Sequence, residues 1–131
     1  MSVQSRIRYI VPADIQTVWR TVTSLTDYAW RSDLAKIERL DDTQFVEHTQ
    51  SGVATLFRVT ETQPPHLWAF DMENDYFFGH WTGRFTAVGN NRTELDFAED
   101  ITLKKRLPCW LVKFYLRRQQ QKYRRDLCRK L

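Results

Sequence analysis

The chain has 131 residues, 42% of them hydrophobic and 14% aromatic, with a formal net charge of +4. That length suits one domain, spanning 1–131, with a buried core. No stretch approaches the roughly 18 apolar residues of a membrane span, and the polar start at 2–8 does not read as a signal peptide. A reduced, soluble, cytoplasmic protein is the expectation.

Ile7, Tyr9 and Val11 alternate with Arg6 and Arg8, the period of a first strand. Pro12-Ala13-Asp14 then opens a helix whose Ile15, Val18, Trp19, Val22 and Leu25 form one apolar stripe. Asp27 is a candidate N-cap for a second short helix holding Tyr28 and Trp30. Six strands follow, over 34–40, 44–49, 53–61, 67–73, 76–88 and 92–103. The chain closes with a long helix over 107–131, where Cys109, Val112, Leu116, Tyr123, Leu127 and Leu131 recur at helical spacing. Cys109 and Cys128 lie nineteen residues apart on it. At about 1.5 Å per residue that is roughly 28 Å, beyond the ~7 Å reach of a disulfide.

The strand pattern sets faces. A two-residue turn at Asn74-Asp75 puts Trp68, Phe70, Met72, Phe77, Trp81 and Phe85 on one face, with Trp68 opposite Trp81. Asp71, Glu73, His80, Thr82 and Arg84 take the other. A three-residue turn at Gly89-Asn90-Asn91 keeps Leu95, Phe97 and Ile101 on the apolar face; a two-residue turn would place Glu94 and Asp96 there. The longer turn is therefore expected, and it sets Glu99 opposite Trp81. On the polar face it sets Arg84 against Asp96 and His80 against Asp100, read as cross-strand charge pairs.

Ile10-Val11-Pro12-Ala13 with Val18-Trp19, Tyr28 with Trp30, Thr55-Leu56-Phe57, the run from Gly79 to Phe85 and the run from Thr93 to Phe97 carry a resemblance over nearly the whole chain. Together with the final helix they resemble the START-like (SRPBCC) superfamily, which includes polyketide cyclase/dehydrase-like and coenzyme Q-binding-like proteins. The resemblance implies an α+β helix-grip fold: a curved seven-stranded antiparallel sheet wrapped around the long C-terminal helix, with two short helices between strands 1 and 2. It also implies a cavity for an apolar ligand between sheet and helix. Fold alone does not give function.

Candidate ligand-binding residues are Trp30, Phe57, Trp68, Phe70, Met72, Trp81, Phe85, Phe97, Glu99, Gln119 and Tyr123. The rings either line a cavity or pack it solid. Gly79 and Gly83 alternate with Phe77, Trp81 and Phe85; they either leave ligand room or let the sheet bend. Glu99 on an apolar face is a polar anchor or a weak candidate for a general acid/base, unless it sits at the mouth or pairs with the helix. Gln119 and Gln120 break the stripe between Leu116 and Tyr123, so one of them either points inward or stays half exposed. His48 and His66 have no ligand spacing, and no nucleophile-elbow, zinc-protease or phosphate-loop motif occurs. No metal or cofactor is expected.

The leading expectation is binding or transport of an apolar small molecule or lipid. The alternatives are a cyclase or dehydratase acting on a polyketide-like or aromatic substrate, and peripheral membrane association. The last comes from charge. Eleven of the twenty Lys/Arg but one of the sixteen acids lie from Lys104 onward. Such a segment either solvates its own face or meets an anionic partner. Trp110, Leu111 and Phe114 point away from the main stripe, beside Arg117, Arg118 and Arg125, the pattern of an interfacial helix. Nucleic acid is a weaker partner, because stacking rings do not interleave on the basic face.

Overall fold

A computed structural model describes residues 2–131. In chain order the elements are β1 (Ser2–Val11), α1 (Ile15–Thr23), β2 (Leu34–Arg39), β3 (Gln44–Thr49), β4 (Ala54–Gln63), β5 (Leu67–Glu73), β6 (Phe77–Ala87), β7 (Thr93–Leu103) and α2 (Cys109–Lys130). The strands form one antiparallel sheet in the order β1-β7-β6-β5-β4-β3-β2, curved as in the helix-grip fold. β1 and β2 are consecutive in the chain yet hold opposite edges. The segment between them must therefore cross the whole width of the sheet, and α1 makes that crossing against β6. α2 returns over the sheet and packs on β1.

β1 runs further than the sequence suggests, because every residue from Ser2 to Val11 finds a partner on β7. α1 starts as expected. The Asp14 carboxylate accepts from Thr17 N at 3.2 Å and from the Thr17 hydroxyl, which holds its pKa below the usual carboxylate value. Val18, Trp19 and Val22 are its buried stripe.

The second short helix is not formed. Instead Ser24, at the end of α1, closes a side-chain turn, with its Oγ accepting from Asp27 N at 2.9 Å and Thr26 N at 3.3 Å. A single turn, Arg31 N to Tyr28 O, follows. The next backbone N–H, that of Ser32, is bonded across to α2 instead of into a helix. Past α1, the segment that crosses the sheet is thus built of bends and single turns rather than a helix.

The two hairpin registers divide. β6–β7 follows the three-residue turn: Phe77 pairs Leu103, Trp81 pairs Glu99, and Val88 N donates to Arg92 O. Gly89 at φ +124 and Asn91 at φ +56 supply the left-handed positions of that turn. β5–β6 instead turns at Asp75-Tyr76. The Asn74 side chain accepts from Tyr76 N and Phe77 N, an Asx turn that displaces the turn by one residue. Phe70 therefore faces Trp81, Trp68 faces Gly83 and Met72 faces Gly79. A shift of two leaves every side chain on its expected face and changes only the partners.

Candidate functional site

The inner face of the sheet is a continuous array of rings. Phe45 stacks on Phe57 at 4.9 Å and 6°, and Phe57 meets Phe70 edge-on at 4.9 Å. Phe70 stacks on Trp81 at 4.7 Å and 7°, and Trp81 tilts onto Phe97 at 4.9 Å. Phe97 reaches Tyr123 of α2 at 6.0 Å, and Tyr123 meets Trp30 at 5.4 Å. Phe85 connects this chain to α1, with Trp19 edge-on at 5.1 Å. The structure thus brings together Trp30, Phe57, Trp68, Phe70, Met72, Trp81, Phe85, Phe97, Glu99 and Tyr123. It also adds Phe45, 2% exposed and paired with Phe57 across β3–β4. The alternation over 44–49 carried its signal, but that strand has to be registered against β4 before its faces can be assigned.

Gly83 does not leave an open space. The indole of Trp81 lies over it, so that a Cβ there would approach Trp81 Cζ3 to 2.8 Å and Phe97 Cδ1 to 3.2 Å. Gly79 lies equally close to the Asp100 carbonyl and to Ile101 Cδ1. Both glycines allow close approach inside a strand: rings take the space over Gly83, and backbone and Ile101 take it over Gly79.

Glu99 is the carboxylate of this face. Burial raises its pKa to about 7, and a long hydrogen bond from Gln120 Nε2 (3.4 Å) works weakly in the other direction. Gln119, expected as the polar contact from α2, is exposed; Gln120, one helical step on, is the residue that turns inward. Tyr123 of α2 and Tyr9 of β1 both turn into the interior, and burial pushes both phenols above their usual pKa. The Tyr9 hydroxyl is buried with no hydrogen-bond partner among the described residues, and the Arg124 guanidinium sits 4.9 Å from its ring.

Two groups of charges escape a reading of the sequence. Arg31 is held by Glu47 at 2.8 and 3.3 Å and by Asp33 at 3.0 Å, with its guanidinium 5.2 Å from the Tyr123 ring. Asp126, the lone acid of the basic tail, is 4% exposed and accepts from Ser32 N at 2.9 Å and Ser32 Oγ at 2.8 Å. That pair ties α2 to the chain crossing the sheet. Contacts so distant in sequence leave no local pattern to read.

On the outer face the expected register partners are opposite each other, but their ions pair elsewhere. Asp96 is taken by Arg6 of β1, which holds its pKa down, and His80 Nδ1 lies 2.7 Å from Asp71 of β5. Edge-strand β1 brings an arginine that the β6–β7 hairpin alone does not reveal. His48 meets Glu38 and His66 meets the Phe85 carbonyl. Among the described residues no group of three or more His, Cys, Asp or Glu could hold a metal.

Two cavities bear on ligand binding. One of about 390 Å³ is polar and lies on the outer face, among Arg58, Asp71, Glu73, His80 and Asp100. The other, about 240 Å³, opens between α1 and β3–β5, walled by Trp19, Leu25, Phe45, Val59 and Trp68 and by polar groups of Thr23, Thr62 and the turn at 41–44. Neither of these two lies under α2, where Tyr123 packs edge-on against Phe97 at 6.0 Å. The second of them exposes Phe45 and Trp68 of the inner aromatic wall beside α1.

A family model described as "Polyketide cyclase / dehydrase and lipid transport" matches residues 2–131. A comparison with curated proteins found no match. Among solved structures, a START superfamily protein from Mycobacterium smegmatis superimposes with TM-score 0.87 at 15% identity, covering 97% of this chain and 95% of that one. The Zhui aromatase/cyclase from Streptomyces sp. R1128 gives 0.84 at 14% identity, covering 99% and 93%. A conserved protein from Geobacillus kaustophilus gives 0.82 at 10%, covering 99% and 94%. At these identities the likeness is one of fold.

Proposed function

Because this chain belongs to the polyketide cyclase/dehydrase and lipid-transport family, we propose that it binds an apolar small molecule or lipid against the inner aromatic wall. The cavity between Trp19, Phe45 and Trp68 carries this reading. Its wall combines these rings, Leu25 and Val59 with polar groups from Thr23, Thr62 and the turn at 41–44, so it offers a ligand both apolar contact and polar partners. Its ~240 Å³ is below the roughly 300–1,000 Å³ of ordinary ligand pockets, so a ligand enlarges it by displacing side chains. Burial supplies the affinity, at about 25 cal/mol per Å² of apolar surface before ordering costs. Glu99 and Gln120 are the polar groups available to orient a ligand that reaches past Trp81.

The test is binding of an environment-sensitive dye and of a long-chain fatty acid, followed by fluorescence and native mass spectrometry. Val59→Trp, which fills the cavity, should weaken both by at least about tenfold while leaving the far-ultraviolet circular dichroism unchanged. Equal affinity in the variant would remove the site from this wall. A second reading, acid/base catalysis on an aromatic or polyketide-like substrate, is favoured by Glu99 alone, since a carboxyl poised near neutrality is suited to proton transfer. Turnover that survives Glu99→Gln unchanged would discard it.

A further inference from the structure

The first half of α2 is apolar on the side that faces away from the sheet. Val112 and Leu116 are its buried residues. Around them Trp110 is 71% exposed, Phe114 and Tyr115 are each 56% exposed, and Leu107 and Leu111 are exposed as well. Trp110 and Phe114 are one turn apart and share a face. The β5–β6 turn brings Tyr76, also exposed, to the same end of the molecule, where its carbonyl accepts from Lys104 N at 2.9 Å. Contiguous exposed rings and leucines of this kind mark an interaction surface.

The charge around the patch selects its occupant. From 104 to 118 there are six Lys/Arg and no acid. Lys104 is paired with Glu73, and Arg118 lies 5.8 Å from the Phe114 ring. Lys105, Arg106, Lys113 and Arg117 flank the rings with no acidic residue in the segment to neutralise them. A second copy of this chain would bring two sets of like charges together, which repel. A nucleic acid has no use for exposed Leu107 and Leu111. An anionic bilayer satisfies both halves of the patch: acyl chains take the rings and leucines, and headgroups take the lysines and arginines. No helix among the described residues is long and apolar enough to cross a membrane, so the contact is with the surface.

We propose that the N-terminal half of α2, with the Tyr76 turn, docks the protein onto an anionic phospholipid surface, with Trp110 and Phe114 as its apolar anchors. This stands independently of what the aromatic wall binds.

The experiment is co-sedimentation of the intact chain with vesicles of phosphatidylcholine alone, and with about 25% phosphatidylglycerol added. The expected result is at least about tenfold tighter binding to the anionic vesicles, weakening as NaCl rises from about 50 to about 500 mM. The Trp110→Ala/Phe114→Ala variant should lose about tenfold at every salt concentration with unchanged circular dichroism, since its side chains are exposed. Lys105→Gln/Arg106→Gln/Arg117→Gln should abolish the preference for anionic vesicles while sparing the fold. Three results would overturn the proposal: no binding to anionic vesicles, binding unaffected by the Trp110/Phe114 variant, or tighter binding to RNA than to vesicles. A dimer that the Trp110/Phe114 variant dissolves, without vesicle binding, would assign the patch to self-association instead.

Discussion

Glu99 holds a carboxyl among rings, and its raised pKa makes a definite prediction about stability. Its ordinary value is 4.5 and its folded value about 7. Between those pH values the folded chain binds more protons at this site than the unfolded chain, so the site's contribution falls as pH rises through that window. Glu99→Gln removes the penalty. It should stabilise the protein by about 1–3 kcal/mol at pH 8 and by little at pH 4, measured by denaturant unfolding at both. A gain equal at the two pH values would show that the carboxyl is not desolvated. The register that places Glu99 inside is legible from the length of the Gly89-Asn90-Asn91 turn. Its partner is not: Gln119 and Gln120 differ by about 100° around a helix whose exact rotation depends on what it packs against. Packing turned Gln120 inward and left Gln119 exposed.

At the scale of elements, β6 and α2 are each held by something specific. On β6, Gly83 lies under the Trp81 indole, which is itself stacked on Phe70 and has little freedom to move. Gly83→Ala should cost about 1–3 kcal/mol and perturb the near-ultraviolet dichroism of the tryptophans. A silent substitution would mean that the indole can swing away, and with it that the wall can open. For α2, the anchor is Asp126. Asp126→Ala should destabilise by about 2–3 kcal/mol, because it leaves the Ser32 N–H and hydroxyl without their acceptor. Ser32→Ala should cost less, and the double variant should cost less than the two together, as expected of partners in one hydrogen-bonded unit. Additive losses would show that the two act separately. The missing second helix belongs to this scale too. Asp27 is a candidate N-cap ahead of Tyr28 and Trp30, but Trp30 is needed against Tyr123 and Ser32 against Asp126.

Over the whole molecule the charge is divided. The tail from Lys104 carries ten net positive charges, and the rest of the chain six net negative. Among the described residues two ion pairs cross the divide, Lys104–Glu73 at 2.8 Å and Lys130–Asp27 at 3.7 Å. Along α2, Lys113 and Arg117, Arg118 and Lys122, and Arg125 and Arg129 stand four residues apart with like charge. Each such pair disfavours the helix by about 0.2–0.5 kcal/mol at low salt. Screening should therefore stabilise the fold by about 1 kcal/mol, a rise in Tm of roughly 3–5 °C between low and moderate NaCl in a thermal melt. A fall in Tm would mean that attraction between tail and body outweighs repulsion along the helix. By itself the sequence determined the succession of strands along the chain, the inward and outward faces of β5, β6 and β7 and the long closing helix, because alternation and helical spacing are local and a two-residue shift in a hairpin preserves both. Only the tertiary structure decided which side chains fill the interior, where it opens, and which acid anchors α2. Those outcomes depend on rings and carboxylates that meet across as many as 94 positions of chain, as Ser32 and Asp126 do, and no local pattern encodes such a meeting.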